Sequence, residues 1–204
     1  MLKKLWSRLM IMLSCLMVYK YPPFLIVRPD LYTFRGEDYT RLMDLYERGV
    51  LLPGDIIMRK TNSSITFGLV PGPFDHAGLY VGATSKGSPA IIQAVSTGVE
   101  LVSLYDFCRA DDIIVVRPKH IPKHLRHKVA TQAYHYLGRP YDFDFSYNDD
   151  SRLYCFELVG RCYEAIKNTY KFKLSTLGYW IFRKKVLLSK DILASDVDVV
   201  FERG

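Results

Sequence analysis

Alternating apolar and polar residues predict a β-strand at residues 75–82, DHAGLYVG. Successive side chains of a strand point to opposite faces, so the pattern separates an apolar face from a face that begins with His76. The apolar face carries Ala77, Leu79 and Val81. On the other face, Gly78 leaves the imidazole an open approach and Tyr80 has a polar tip on an apolar body. His76 is therefore either a core histidine bonded to a neighbour or part of a site.

From residue 36 onward the pattern predicts an α+β fold with an antiparallel sheet. EDYTRLMDLYERG has apolar residues at helical spacing and ends on Gly49 as a C-cap. Further strands are predicted at LLPGDIIMR, AIIQAV, GVELVS and DDIIVVRP, and strands joined in chain order by short turns pair antiparallel. Helices follow from Pro122 to Leu137, with Gly138 as the stop, and from Tyr154 to about Asn168.

A single polar residue interrupts the apolar strand AIIQAV. Gln93 shares its side with Ile91 and Val95. A buried amide without a partner costs about 1–3 kcal/mol, so a polar group is expected to face it. The strand of His76 is its neighbour along the chain and its expected neighbour in the sheet. The alternative is a glutamine bonded to a loop backbone.

The helix YCFELVGRCYEAIKN places Cys155 and Cys162 on one inward stripe. Unpaired cysteine is often a small hydrophobic core residue, and this interpretation stays open for both. Their positions differ, because cap residues in the polar run 149–151 would put Cys155 in the first turn, whereas Cys162 lies two turns deeper. Free N–H groups and the helix dipole in the first turn favour a thiolate. Cys155 is therefore the candidate nucleophile.

A cysteine nucleophile needs a base, and the remaining histidines are weaker candidates than His76. They lie in or beside a basic helix with a solvent-exposed pattern: His120, His124, His127 and His135. A metal site at His124 and His127 is an alternative, but no carboxylate or thiol lies near them in the sequence.

Composition indicates one enzyme-sized domain. The chain has 204 residues, 49% of them hydrophobic and 14% aromatic, enough for one packed core. The net charge of +7, with basic residues clustered from Arg117 to Lys128 and from Arg183 to Lys185, suits an anionic membrane or a polyanionic partner. No nucleic acid is expected, since zinc-finger spacing, basic heptads and aromatic RNA-binding motifs are missing from the sequence. The four scattered cysteines do not suggest a disulfide framework, and nothing indicates an oligomeric state.

The amino-terminal segment 1–30 has the layout of a signal sequence or membrane anchor ahead of a catalytic domain at 31–204. It has a basic start, an apolar run from Leu9 to Tyr19, and then Lys20 and a double proline. The run is shorter than the roughly 20 residues that span a bilayer. Cys15 weakly resembles a lipoprotein cleavage box, but the apolar run continues past it. We therefore expect an uncleaved anchor and a location at a membrane or in the cell envelope; the alternative is a helix folded onto the domain.

Several motifs in order carry a resemblance to a known family: LLPGDIIMR, FDHAGLYVG, IIQAVSTGVELVSLYDF, LGRPYDFDF and LYCFELVGRCYEA. Over about residues 50–200 the chain resembles the circularly permuted, papain-like branch of the NlpC superfamily, most closely its YiiX/YaeF-type amidases. The resemblance implies His76 as the base, Gln93 as the orienting residue and Cys155 as the nucleophile. The chain departs from the family at Gln93, where glutamate is expected, and at Phe156, where a small polar residue is usual. The first departure weakens imidazolium stabilisation, and the second affects the substrate pocket.

The chemistry implied by the resemblance is acyl transfer, with no cofactor and no metal required. The oxyanion is expected to meet the Cys155 backbone N–H, with help from Tyr80, while Tyr154 and Tyr141 are expected at the substrate site. The loop before the helix carries aromatic residues that form either a pocket wall or a small core under the loop: Tyr141, Phe143, Phe145 and Tyr147.

Three classes of function remain open at this point. The first is a cysteine amidase or peptidase acting on an amide bond of a cell-wall peptide or an acylated amino acid. The second is a lipid acyltransferase or thioesterase, which the apolar amino-terminal segment favours. The third is a binding module that keeps the fold without activity, and Gln93 keeps that class open.

We expect the intact chain to partition with membranes, and a chain that begins near residue 30 to be soluble and keep its fold. The apolar run and its basic flank lie outside the sheet pattern. Flotation with liposomes and thermal unfolding of both chains measure the two effects. Aggregation of the shortened chain, or loss of its cooperative unfolding, would place the segment in the core instead.

Overall fold

An antiparallel sheet with helices on both faces forms the structure. The computed structural model describes residues 36–61, 71–166, 170–177 and 183–203. The strands are β1 (Ile56–Lys60), β2 (His76–Ala83), β3 (Pro89–Val95), β4 (Gly98–Ser103), β5 (Asp112–Pro118), β6 (Ser175–Leu177), β7 (Lys184–Val186) and β8 (Val197–Glu202). The helices are α1 (Gly36–Glu47), α2 (Leu104–Phe107), α3 (Lys123–Tyr134), α4 (Cys155–Glu164) and α5 (Ser189–Leu193).

The main sheet has the strand order β4-β3-β2-β1-β5-β8, and every neighbouring pair is antiparallel. Strands β1 to β4 pair in chain order, which confirms the predicted antiparallel sheet and α+β class. Strand β5 then returns to pair with β1, and β8 forms the far edge. Strand β2 lies inside the sheet and is hydrogen-bonded on both sides. The backbone at His76 is therefore held by β1, where its register partner is Arg59.

Each face of the sheet has its own hydrophobic core. Helices α3 and α4 pack on the face that carries Ala77, Leu79 and Val81, as the alternation predicts. Helices α1 and α2 cover the opposite face, where Tyr80 and Phe107 are buried. Since β2 is covered on both sides, both of its side-chain rows are packed.

The expectation that Gly78 leaves an open approach to His76 is wrong. A Cβ atom at this position would lie 2.5 Å from Cγ2 of Ile91 and 2.8 Å from Cε2 of Phe107. The glycine is buried because those two side chains fill the space above it. Gly78 therefore serves the packing of α2 against the sheet.

Several element boundaries and short elements differ from the prediction. Helix α3 ends at Tyr134, ahead of the predicted Leu137, and α4 ends at Glu164. Helix α2 and the elements after residue 170 had no clear pattern in the sequence. Most of these are only 3–5 residues long, so tertiary contacts decide them more than local periodicity does.

Buried polar contacts attach helix α4 to the start of β1. Arg117 donates to both carboxylate oxygens of Asp55, at 2.7 and 2.6 Å, and to the carbonyl of Val50 at 2.6 Å. The hydroxyl of Tyr163, on α4, donates to the carbonyl of Gly54 beside this ion pair. The helix that carries Cys155 is thereby held beside β1 by this hydrogen bond as well as by apolar packing.

The predicted anchor at residues 1–30 lies outside the described residues. Among the residues that are described, no helix is both long and apolar enough to cross a membrane.

We expect Gly78→Ala to lower the free energy of unfolding by about 1–3 kcal/mol, because the added methyl group overlaps Ile91 and Phe107. Ala83→Val adds carbon atoms at the exposed end of the same strand and should change the free energy of unfolding by less than about 0.5 kcal/mol. Urea denaturation of both variants measures the difference. Equal stability of Gly78→Ala and the wild type would contradict the tight packing of α2 on β2.

Candidate active site

Helix α4 begins at Cys155, so the thiol lies in the first turn, as predicted. The cap differs from the prediction, because extended Tyr154 is the N-cap and the polar run 149–151 lies outside the helix. The Tyr154 hydroxyl accepts a hydrogen bond from the backbone N–H of Leu187 at 2.7 Å and donates to the carbonyl of the same residue at 3.3 Å. A contact with a distant part of the chain thus holds the start of the helix.

Glu157, which the sequence analysis did not single out, also holds the helix start. Its carboxylate accepts a hydrogen bond from the backbone N–H of Tyr154 and from Arg161, at 3.1 and 3.3 Å. Burial raises the pKa of Glu157 to about 8, and Arg161 acts in the opposite direction. The spacing of an acidic residue three positions after the N-cap is half of a capping box, which is the signal that could have identified it.

The Cys155 thiol is buried, 2% exposed, against the amino-terminal end of β2. Burial raises the pKa of the thiol to about 11, although the backbone N–H groups of Ala77 and Phe156 hydrogen-bond to the sulfur and act in the opposite direction. The thiol is therefore neutral at pH 7. The prediction of a thiolate is wrong for the resting structure, because desolvation outweighs the favourable helix start.

His76 is positioned by contacts along its ring. Its Nε2 lies 2.8 Å from Oε1 of Gln93, and its ring centroid lies 5.6 Å from that of Phe107. Burial lowers the pKa of His76 to about 3, the nearby Arg59 guanidinium lowers it further, and the hydrogen bond with Gln93 raises it. The imidazole is therefore neutral at pH 7, the form that can accept a proton.

The amide of Gln93 connects His76 to a carboxylate on the next strand. Gln93 is 6% exposed, and its Nε2 donates to Oε1 of Glu100 at 2.9 Å. The register sets this chain of contacts: Gly78 of β2 lies opposite Gln93, and Gln93 lies opposite Glu100 of β4. The turn between Val95 and Gly98 contains two residues. A two-residue hairpin turn fixes the register of its strands, so the sequence could have predicted that Gln93 lies opposite Glu100.

Cys155 and His76 lie at the same end of β2 but on different faces of the sheet, since Cys155 packs in the core that contains Ala77 and the His76 ring packs against Phe107. The sulfur faces the backbone N–H of Ala77, the residue after His76. The hydrogen-bonding partner of the ring in the described part of the chain is Gln93, and that bond uses Nε2. The second ring nitrogen, Nδ1, is the one that this hydrogen bond does not use.

The predicted tyrosines occupy three different environments. Tyr141 hydrogen-bonds to the Cys155 sulfur through its hydroxyl, and burial raises the pKa of this phenol. Tyr154 is 1% exposed and uses its hydroxyl on Leu187, so it is placed to support the helix. Tyr80 is buried in the core under α1 and α2, whereas Cys155 belongs to the core on the other face. The structure therefore brings only Tyr141 of the three to the thiol.

The aromatic loop before α4 packs beside the thiol. The Tyr141 ring contacts Phe143 and Phe145, with centroids 5.0 and 6.1 Å away, and Phe145 contacts Tyr154 at 5.5 Å. Phe143 is 48% exposed, whereas the Tyr147 ring lies under the Arg161 guanidinium at 4.1 Å. The first part of the loop thus packs next to the sulfur through Tyr141, and Tyr147 packs on the helix.

Other features of the described residues lie away from this site. No group of three or more histidine, cysteine, aspartate or glutamate side chains that could hold a metal ion occurs there. A cleft between α1 and β8, lined by Arg41 and Phe201 among others, contains none of the predicted site residues.

Comparisons with known proteins identify the family of the chain. A family model described as permuted papain-like amidase enzyme, YaeF/YiiX, matches residues 50–196. The uncharacterized protein YiiX of Escherichia coli is 54% identical over 37 residues, which are 18% of this chain and 18% of that protein. A crystal structure of yiiX from Escherichia coli, described as a metalloprotein, matches with a TM-score of 0.64 and 21% identity, over 74% of this chain and 97% of that one. At that identity the likeness shows the fold alone, whereas the family model covers both the histidine strand and the cysteine helix, and the chain belongs to the YaeF/YiiX family of permuted papain-like amidases.

Proposed function

We propose that the protein is a cysteine-dependent amidase or peptidase that works through an acyl-enzyme, with Cys155 as nucleophile, His76 as general base and Gln93 as orienting residue. The observation that carries the proposal is the placement of a thiol at a helix start, against the strand end where His76 is hydrogen-bonded to Gln93. The family, which consists of papain-like amidases, supports a hydrolase of this kind.

In the first half of the reaction, the Cys155 sulfur attacks the carbonyl carbon of the amide while its proton moves to Nδ1 of His76. The imidazolium then gives this proton to the leaving nitrogen as the C–N bond breaks, and a thioester remains on Cys155. Water attacks the thioester and gives a proton to His76, and the carboxylic acid leaves as the C–S bond breaks and His76 returns the proton to the Cys155 sulfur. The thiol and the imidazole both start neutral, so the first proton transfer accompanies the attack and no stable ion pair precedes it.

Backbone N–H groups are the proposed donors to the oxyanion. Cys155 is the first helical residue, so its N–H and that of Phe156 have no partner one turn earlier in the helix. The N–H of Ala77 points to the same sulfur from the strand. Tyr141, whose phenol keeps its proton, is a further donor in place of Tyr80.

The substrate is proposed to be an amide of a cell-wall peptide or of an acylated amino acid. The half-exposed ring of Phe143, next to Tyr141, offers an apolar surface to the acyl or side-chain group. A lipid acyltransferase or thioesterase would form the same kind of acyl-enzyme. An acyltransferase differs in the acceptor that replaces water, and a thioesterase differs in the bond that it cleaves. Membrane association through the segment 1–30 is proposed as well, on the basis of its sequence.

We expect Cys155→Ala to abolish turnover and Gln93→Ala to lower kcat by about 10²-fold to 10⁴-fold, because the second variant loses a positioned base. Assays with a panel of peptide amides, acyl amino acids and lipid esters measure both. Cys162→Ala, on the same helix but two turns deeper, is the matched control and should keep kcat. Mass spectrometry of the enzyme with an acyl donor should show one acyl group on Cys155. Turnover by Cys155→Ala would remove the nucleophile assignment.

We expect the rate of alkylation of Cys155 by iodoacetamide to rise about tenfold per pH unit from pH 7 to pH 10 without a plateau, because the reactive thiolate forms only towards the pKa of about 11. Cys108, whose pKa burial raises to about 12, and Cys162, whose pKa burial also raises, should react more slowly. Peptide mapping after timed labelling resolves the sites. A plateau below pH 8 at Cys155 would indicate a thiolate–imidazolium pair instead.

A further inference from the structure

We propose that Glu100 is a positioning residue that selects the protonated nitrogen of His76 by holding the amide of Gln93 in one orientation. The inference rests on the proposed function for its catalytic meaning, but the orientation itself follows from contacts between described side chains. Glu100 lies on β4, two strands away from His76, and acts only through Gln93.

The first step is the orientation of the amide. An ionised carboxylate can only accept hydrogen bonds, whereas a glutamine side chain has an accepting oxygen and a donating nitrogen. Glu100 Oε1 lies 2.9 Å from Nε2 of Gln93, so this nitrogen donates to the carboxylate. The opposite orientation would place the amide oxygen against the carboxylate oxygen. Glu100 therefore turns the amide oxygen of Gln93 towards His76.

The second step is the state of the imidazole. The ring nitrogen Nε2 lies 2.8 Å from the amide oxygen of Gln93, and an oxygen that accepts requires a nitrogen that donates. The neutral ring therefore carries its proton on Nε2, and Nδ1 has the free lone pair. This is the tautomer that can take a proton from Cys155, since the other tautomer already carries hydrogen on Nδ1. Without Glu100, the amide could rotate and both tautomers would find a partner.

The third step explains a glutamine where the family resemblance implies glutamate. Residues 93 and 100 are direct register partners on neighbouring strands. A glutamate at position 93 would face the Glu100 carboxylate, and like charges directly opposite each other are destabilising. The site thus has a single carboxylate, that of Glu100, which lies one strand further from His76 than position 93 does. Glu100 acts on the histidine through its charge-assisted hydrogen bond with the Gln93 amide. We therefore expect Gln93→Glu alone to lower activity.

The experiment compares four variants: Glu100→Gln, Glu100→Asp, Gln93→Glu and the double variant Gln93→Glu/Glu100→Gln. In Glu100→Gln the new side chain can donate as well as accept a hydrogen bond, and in Glu100→Asp the side chain is too short to reach Gln93. Both variants should therefore lower kcat by about tenfold or more with KM unchanged. Gln93→Glu should also lower kcat. The double variant restores a carboxylate–amide pair in the reverse order and should recover most of the kcat that the single variants lose. Such a recovery shows energetic coupling between positions 93 and 100, which independent sites do not have. Glu202→Gln, on the edge strand β8 and exposed, is the matched control and should match the wild type.

A second measurement needs no substrate. Nitrogen-15 NMR of the imidazole at pH 8, assigned by comparison with His76→Asn, should report the Nε2–H tautomer in the wild type and in the double variant. Glu100→Gln and Glu100→Asp should show an increased share of the Nδ1–H tautomer, while circular dichroism confirms that each variant is folded.

Unchanged tautomers and unchanged kcat in both Glu100 variants would overturn the proposal, and so would a double variant no better than its worse single variant. Turnover by Cys155→Ala together with the expected tautomer shifts would sink the proposed function while leaving the positioning role of Glu100 in place. The two failures are therefore distinguishable.

Discussion

The hydrogen bond between His76 and Gln93 is the contact on which the arrangement of the site depends, and the sheet produces it. The two residues are diagonal neighbours, because Gln93 lies directly opposite Gly78. Diagonal neighbours on adjacent strands are about 7–8 Å apart, within reach of long side chains. Phe107, which packs above Gly78 together with Ile91, also contacts the His76 ring and holds it on this face of the sheet. Displacement of β3 by one residue would turn the amide to the other face of the sheet.

Burial sets the electrostatic state of the site. It raises the pKa of Cys155 to about 11 and lowers the pKa of His76 to about 3, so both groups are neutral at rest. Arg59, the register partner of His76, further disfavours the imidazolium. An orienting amide fits this state better than an adjacent carboxylate, because a carboxylate in direct contact would favour the charged ring. The departure from glutamate at position 93 is thus consistent with the surroundings of the histidine.

The sequence was sufficient for the parts of the site that obey short periodicities. Alternation along β2 and β3 predicted a polar partner for Gln93 from the strand of His76, and the helical stripe predicted that Cys155 points inward from α4. The cap of α4 could not be predicted, because the hydroxyl of Tyr154 bonds to Leu187, 33 residues away. The misread glycine has the same origin, since the side chains above Gly78 come from a neighbouring strand and from a short helix without a sequence pattern. Contacts between distant segments decided both outcomes.

The burial that determines the pKa values also bears on how a substrate reaches the thiol. Cys155 is 2% exposed, and the ring that hydrogen-bonds to its sulfur, Tyr141, is packed against Phe143 and Phe145. A carbonyl group that approaches the sulfur has to take the place of the Tyr141 hydroxyl. In the proposed mechanism, the same hydroxyl is then a donor to the new oxyanion. Since a buried donor without a partner is costly, the proposed exchange gives the hydroxyl a partner before and after attack, and it would link substrate entry to stabilisation of the intermediate.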